Sequence, residues 1–420
     1  MKFSEFGLHE KITKSIDQLG YKRPTDIQFK AIPAILERED VLAIAQTGTG
    51  KSAAFVIPIL QLLQKKRKNK DNGVRCIVMV PTHELAKQIT DVFKQIGKNT
   101  SLKFTAIYGG VDQTEQIERL KKGTDVLIAT PGRLFDYINQ GVVKVYNAEI
   151  LVLDEADHML DLGFYKDIED LIKYLPKKRQ TLFFSATIDQ KIKKLAYSLV
   201  SRPIRIQISP KNPVAKNIDH SVAFIKMDDK RFFLERVVRS HPEKKILVFV
   251  RTKVRCERVL KAMERVKVAA VSIHSDKSQD ARDSVMKQFK AGEVKMLIAT
   301  DVSARGIDIP NVDIVVNYDM PEQPENYVHR VGRTGRGKLK GTAIAFCSEE
   351  EKEMLTTIED YTGYPIDITD VGHDEYSDTI DFSTETHADW KTLMRQAEVE
   401  EEEYQVIKKK KTKKKNKKKK

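Results

Sequence analysis

Two stretches of the chain combine residue types and spacings that can handle a phosphate. The first is AQTGTGKSAAFVIPILQLL, residues 45 to 63, where two glycines, a lysine and a hydroxyl run directly into an amphipathic helical pattern. It fits G-x4-G-K-[ST] with Ala45 in place of the first glycine, a change outside the part that cradles phosphate. Gly48 and Gly50 let backbone N–H groups turn into the loop, the helix amino end adds positive potential, and Lys51 can reach terminal phosphates. Ser52 offers a hydroxyl to magnesium. The second stretch, ILVLDEADHM, residues 150 to 159, places Asp154, Glu155 and Asp157 behind four apolar residues. Beside a phosphate loop, Asp154 would hold magnesium, usually through water, and Glu155 would orient and deprotonate an attacking water. Taken alone, the same tetrad could open a helix whose dipole favours acids.

Phosphoryl transfer needs more positive charge than one lysine supplies. HRVGRTGRG, residues 329 to 337, carries Arg330, Arg333 and Arg336 at three-residue spacing with glycines between, so several guanidiniums could converge on one anion. By itself that pattern is equally a surface loop.

Something must hold these groups together. Between residues 41 and 208 the chain repeats a short apolar run, a turn and a helical pattern, with runs VLAIA, CIVMV, DVLIA, EILVL and TLFF. Such alternation indicates βαβ units and a parallel sheet covered on both faces, with ligands at the carboxyl ends of the strands. After ISPKNPVAKN (208 to 217), whose two prolines suit a linker, the rhythm restarts with HSVAFI, KILVFV, VAAVSI, KMLIAT, VDIVVNY and GTAIAFC. The expectation is two similar α/β domains in tandem. ADWKTLMRQAEVEEEEY, further on, has the spacing of one short helix.

The 420 residues exceed what one hydrophobic core usually spans, which also favours two domains. The longest apolar runs are strand-sized, and MKFSEFGLHE lacks an apolar export core, so a cytoplasmic protein with no membrane span is expected. Cys76, Cys256 and Cys347 lie too far apart for a C-x-x-C site and read as inert core residues. Net charge is +14, but residues 408 to 420 hold 11 lysines, and subtracting these leaves +3 for residues 1 to 407. The basic block reads as an extended arm for polyanions, or simply as a solvated tail.

Phe3, GYKRPTDIQ (20 to 28), AQTGTGKS, PTHELA (81 to 86), Gly109 with Gly110, TPGR (130 to 133), DEAD (154 to 157), SAT (185 to 187), QDAR (279 to 282), ATDVSARGID (299 to 308) and HRVGRTGR follow one another in a known order. Over residues 3 to 360 the chain resembles the DEAD-box ATP-dependent RNA helicases, and its tail and compactness resemble bacterial cold-shock helicases of the CshB kind. The resemblance implies tandem RecA-like domains with parallel sheets covered by helices, over residues 1–208 and 218–370. A linker at 209–217 would join them, and an acidic then Lys-rich disordered tail would fill 371–420.

ATP and Mg2+ are the implied cofactors, and RNA-stimulated ATP hydrolysis coupled to local duplex unwinding is the implied activity. Tyr21 would stack on adenine and Gln28 would read its edge, although Gln28 could equally lie on the surface of a helix begun at Pro24 and Thr25. Ala45, Gln46, Thr47, Gly48, Thr49, Gly50, Lys51 and Ser52 would hold the nucleotide, with Asp308 on the ribose. Ser185 and Thr187 would link hydrolysis to domain closure, and Arg333 and Arg336 would be the arginine fingers. The implied RNA surface comprises Pro81, Thr82, Gly110, Thr130, Arg133, Arg282 and Thr300. These residues suit gripping phosphates and sugars and not reading bases.

Two positions depart from the family pattern. His83 stands where arginine is usual, which should weaken one RNA or interdomain contact because a histidine is mostly neutral at pH 7. Ser275 stands where glycine is common. Ser52 in place of threonine leaves the magnesium hydroxyl in place. The implied partners are single-stranded and duplex RNA, with ribosomal precursors or the RNA decay machinery behind them, bound by a monomer. Two further readings are an ATP-gated RNA clamp or annealing protein, in which duplex opening is incidental, and a DNA translocase, which the adenine-reading segment disfavours.

Overall fold

The computed structural model describes residues 2–45, 48–64, 73–188, 190–208, 214, 217–301, 309, 312–335 and 339–381. The Lys-rich arm, the helix expected around Trp390 and most of the expected linker lie outside the described residues, as do Gln46, Thr47, Asp308 and Arg336.

Two seven-stranded sheets organise the chain, and every recorded pairing between neighbouring strands is parallel. In the first, α1 (Glu10–Gln18) and α2 (Asp26–Leu36) precede β1 (Val41–Ala45) and α3 (Lys51–Leu63), then β2 (Cys76–Met79), α4 (His83–Ile96), β3 (Phe104–Ile107) and α5 (Gln113–Lys121). β4 (Val126–Ala129), α6 (Pro131–Asn139), β5 (Ile150–Leu153), α7 (Ala156–Asp161), α8 (Tyr165–Tyr174), β6 (Gln180–Ser185), α9 (Gln190–Leu199) and β7 (Ile204–Ile208) complete it. The second sheet begins with β8 (Ile218–Phe224), α10 (Lys230–Ser240), β9 (Ile246–Val250), α11 (Lys253–Arg265), β10 (Ala270–Ile273) and α12 (Gln279–Ala291). It continues through β11 (Met296–Thr300), β12 (Ile314–Asn317), α13 (Pro324–Val331), β13 (Gly341–Cys347), α14 (Lys352–Thr362), β14 (Asp367–Ile368) and α15 (His373–Asp381).

The strand orders are β3-β4-β2-β5-β6-β1-β7 and β10-β11-β9-β12-β13-β8-β14. Subtracting seven from each label of the second order reproduces the first, so the tandem likeness seen in the sequence is also a likeness of topology. Successive residues of one strand feed opposite faces. Val41, Ala43 and Ala45 join one apolar cluster while Leu42 and Ile44 join the other, and Cys76 with Val78 separates likewise from Ile77 with Met79. A strand buried on both faces favours apolar residues at successive positions, which is why these strands read as continuous apolar runs.

The sequence rhythm missed β3, β7 and β14. All three are sheet edges, and their burial is broken, with Ile206 the only fully buried residue of β7 and none buried in β14. An edge strand covered on one side needs only alternate apolar residues and so gives no continuous run. The three cysteines are free and buried. Burial drives the Cys76 thiol well above its usual range and pushes Cys256 up to about 12 and Cys347 up to about 11, leaving all three unreactive at neutral pH.

Candidate functional site

The strand order β5-β6-β1 sets three carboxyl ends side by side, and the chemistry gathers there. β1 ends at the buried Ala45, and the chain turns through Gly48 (φ +80°) and Gly50 (φ +90°) into α3. Gly50 is doubly required. Its φ lies in the left-handed region, and a Cβ there would fall 2.6 Å from Gln28 Nε2 and 3.1 Å from Thr25 Oγ1. Gln28 is buried, so the surface-helix alternative does not hold: its Nε2 donates to Gly50 O at 3.1 Å and its Oε1 accepts from Thr25 N at 3.0 Å. Tyr21 is half-buried beside Phe3, with ring centroids 6.2 Å apart. Lys51, first residue of α3, is 7% exposed, and its Nζ has no hydrogen-bond partner. Ser52 follows it, half-buried, in the first turn, and Thr49 precedes Gly50 in the loop.

At the end of β5, Asp154 is 3% exposed and its backbone N–H donates to Met79 O at 3.0 Å. Burial pushes its carboxyl up to about 6 against the pull of Lys51, and neighbouring Glu155 raises it further. Glu155 occupies the left-handed region (φ +52°) as the residue capping α7. For a non-glycine residue that conformation costs on the order of 1–3 kcal/mol and persists only where surrounding structure enforces it. Its carboxylate lies 3.5 Å from His158 Nδ1. Burial would raise its pKa, but His158, Lys51 and Arg333 prevail and hold it down to about 2. The acidic tetrad therefore both ends a buried strand and opens a helix, as the reading from the helix dipole expects.

Asp157 faces the next strand. Its Oδ2 accepts from Ala186 N at 3.0 Å, Thr187 N at 3.2 Å and Thr187 Oγ1 at 3.4 Å, tying the acids to the segment after β6. Ser185, at the end of β6, is fully buried with no hydrogen-bond partner for its Oγ. Opposite these groups stands α13 of the second sheet. Lys51, Glu155, Asp157 and Thr187 share a cavity of about 70 Å³ with Asn326, His329 and Arg333. Sequence reasoning overlooked Asp157, His158, Asn326 and His329 as cleft residues. The signal was present for Asp157 and His329, since both belong to motifs singled out for other residues.

Arg330 corrects the expectation of three converging guanidiniums. It is 1% exposed and turned into its own sheet, donating to Asp301 Oδ1 at 2.6 Å, Asp301 Oδ2 at 2.7 Å, Asn317 Oδ1 at 3.2 Å and Asp319 O at 2.7 Å. On a helix, three-residue spacing keeps side chains near one face, but α13 ends at Val331. Beyond that end, Arg333 turns to the cleft, with its Nε donating to His329 O at 3.3 Å.

Apart from Arg282, which lies in α12, the residues implied for RNA also sit at carboxyl ends of strands or just beyond. Pro81 and Thr82 follow β2, with Thr82 capping α4 through Leu85 N at 3.3 Å. Gly110 (φ +83°) follows β3, Thr130 caps α6 after β4, and Thr300 ends β11. The two arginines are engaged by protein groups. Arg133 is buried and donates to Tyr137 Oη at 3.1 Å and Val111 O at 3.2 Å, bracing the loop that carries Gly110. Arg282 pairs with Glu84 at 2.7 Å across the two sheets. His83 is buried and stacked on Tyr108, ring centroids 3.7 Å apart, and burial lowers its pKa and favours the neutral ring. Ser275 lies in an exposed turn without a positive φ, so the turn does not need glycine.

The donor set suits a hard dication with a polyphosphate. Ser52 and Asp154 offer oxygen ligands, and the orphaned Lys51 ammonium calls for anionic oxygens. No cluster of three His, Cys, Asp or Glu among the described residues could hold a metal by itself. A magnesium site completed by phosphate oxygens and water would not need one.

Comparison with known proteins shows the family. The DEAD/DEAH box helicase model matches residues 25–195, and the helicase conserved C-terminal domain model matches residues 229–338. The ATP-dependent RNA helicase CshA of Listeria monocytogenes is 42% identical over 363 residues, covering 86% of this chain and 69% of the relative. The DEAD-box ATP-dependent RNA helicase CshA of Geobacillus kaustophilus is 40% identical over 359 residues, 85% of this chain and 76% of the relative. Among solved structures, S. cerevisiae Dbp5 bound to RNA and ADP BeF3 superposes with a TM-score of 0.80 at 30% identity, covering 90% of this chain and 97% of that one.

Proposed function

Because the chain belongs to the DEAD-box family of ATP-dependent RNA helicases, we propose that it couples RNA-stimulated ATP hydrolysis to closure of two domains, residues 1–208 and 218–370, on the RNA backbone. The observation that best supports this cycle is the cavity shared by Lys51, Glu155 and Thr187 with His329 and Arg333. Hydrolytic groups split between two sheets act together only when the sheets approach.

In this cycle Gly48, Gly50 and Lys51 hold the β and γ phosphates, while Tyr21 and Gln28 hold adenine. Lys51 brings a desolvated ammonium that phosphate satisfies, and water screens it little in that place. Glu155, ionised at neutral pH, accepts a hydrogen bond from the attacking water and aims it at the γ phosphorus. A carboxylate held so acidic orients water more effectively than it removes a proton outright. Arg333 stabilises charge on the transferring oxygens. Ser52 and Asp154 would hold magnesium, which would supply positive charge to offset the phosphate oxygens. Loss of phosphate is felt by Thr187 and passes through Asp157 to the DEAD segment, releasing the second domain.

RNA is gripped through Pro81, Thr82, Gly110, Thr130 and Thr300, mostly small residues that bring backbone close to phosphates and sugars, so binding is independent of sequence. The duplex is opened locally as the strand bends. We further propose a cytoplasmic monomer acting on ribosomal precursors or decay intermediates in the cold. No helix of the described residues is long and apolar enough to cross a membrane.

The decisive experiment measures ATP hydrolysis without nucleic acid, with single-stranded RNA, and with DNA of the same sequence, alongside release of a labelled strand from a short duplex. RNA should stimulate hydrolysis and ATP should drive release. Equal stimulation by DNA would remove the RNA assignment, and stimulation without release would leave an RNA clamp. Glu155→Gln should keep ATP and RNA binding while turnover falls by about a hundredfold or more.

A further inference from the structure

The two sheets meet along a second line, away from the cleft, where α4 faces α12. Glu84 takes Arg282 there, and three residues further along α4 Lys87 Nζ meets Asp283 Oδ2 at 2.8 Å. Residues three and four apart share a helix face, so Glu84 with Lys87, and Gln279 with Arg282 and Asp283, form two complementary stripes. Both ends of the Lys87–Asp283 pair are held in place. Gln279 Nε2 donates to Asp283 Oδ1 at 2.9 Å, and the Lys87 ammonium lies 5.8 Å from the centre of the Tyr108 ring, which His83 braces from its own stack. Partial burial would raise the Asp283 pKa, but the hydrogen bonds from Lys87 and Gln279 bring it below the usual carboxylate range, so the Asp283 carboxylate is charged at neutral pH.

We infer that Lys87 and Asp283 are positioning residues, an ion-pair latch that seats α12 on α4 and sets how readily RNA draws the chain into its hydrolysing arrangement. Neither lines the nucleotide cavity. The partners are 196 positions apart and belong to different sheets, so separation of the sheets by a few ångströms breaks the pair and closure remakes it. Their side chains are 44% and 47% exposed, which keeps the latch weak enough to open in every cycle. This inference rests on the RNA-coupled closing cycle proposed above.

A competing role for Lys87 is a direct grip on RNA phosphates, and the two roles predict opposite signs for one substitution. Asp283→Asn in the full chain, read as the RNA concentration for half-maximal ATPase stimulation, should raise that concentration about two- to fivefold if the latch operates. Turnover at saturating RNA and ATP should stay unchanged, a split that general destabilisation would not give. If Lys87 serves only to bind phosphate, removing the neighbouring carboxylate tightens RNA and the concentration falls. That fall, or no change, overturns the latch. Lys87→Glu and Asp283→Lys should each raise the concentration further, and together they should return it to within about twofold of the parent. Deficits that simply add would also overturn it. Failure of RNA to stimulate the parent chain would count against the closing cycle instead, so the two failures are distinguishable.

Discussion

Lys51 and Lys230 occupy equivalent places in the two sheets, and they have opposite surroundings. Each is the first residue of the helix that follows topologically matched strands, β1 and β8, and each is buried. Lys230 is fully buried and ion-paired with Glu351, which also takes Arg251. Lys51 Nζ has no hydrogen-bond partner among the described residues. The acids repeat the contrast. Asp319, just beyond β12, receives Arg255 Nε at 2.7 Å and Arg251 N at 3.0 Å, whereas Asp154, just beyond the matching β5, accepts only from the adjacent Glu155 N–H in the recorded contacts. The same topology thus gives the buried lysine and the strand-end acid ion-pair partners in one half, while among the described residues their counterparts in the other half have none. A buried charge costs several kcal/mol unless it is paired, so the half without such partners is the one shaped for an ionic ligand.

The sharpest way to break this comparison is through the two arginines of the HRVGR segment. Arg333→Ala should lower turnover by about a thousandfold, as expected for a charge that meets the transferring phosphoryl group, with thermal unfolding nearly unchanged. Arg330→Ala should instead cost several kcal/mol in denaturant unfolding, because it empties a buried site and removes the guanidinium that donates to Asp301, Asn317 Oδ1 and Asp319 O. If both variants lost only activity, the division between a satisfied and an unsatisfied half would be wrong.

Next in size is the lysine pair. Lys230→Met should destabilise by about 3 kcal/mol, since Arg251 still compensates part of the Glu351 charge, and nucleotide binding should survive. Lys51→Met should abolish nucleotide-dependent stabilisation in calorimetry while the ligand-free protein unfolds no earlier than the parent.

The smallest effect concerns pH. The Asp154 carboxyl is pushed up to about 6, so a proton competes with a cation there as pH falls through that value. The magnesium concentration for half-maximal hydrolysis should therefore rise by up to about tenfold per unit below pH 6 and level off above pH 7. Asp154→Asn should remove that dependence along with most activity, and a magnesium requirement flat between pH 5 and 7 would argue against Asp154 as the ligand.

The order of apolar runs determined the two α/β units, because strands buried on both faces are built mostly from apolar residues. The edge strands β3, β7 and β14 were not legible, because one buried face leaves no continuous run. The glycine-lysine turn and the acids after β5 were also legible, since a phosphate loop needs left-handed glycines and a strand end to aim it. The sequence left open whether Gln28 faced solvent, whether the segment after the acids began a helix, and which arginines met the cleft. Those were settled by contacts between residues far apart in the chain, such as Gln28 with Gly50, Asp157 with Ala186 and Arg330 with Asp301. Spacing along the chain fixes which side chains share a face. Only the tertiary packing of residues far apart in the chain decides whether a buried charge finds its counter-charge inside the protein or must take it from a ligand.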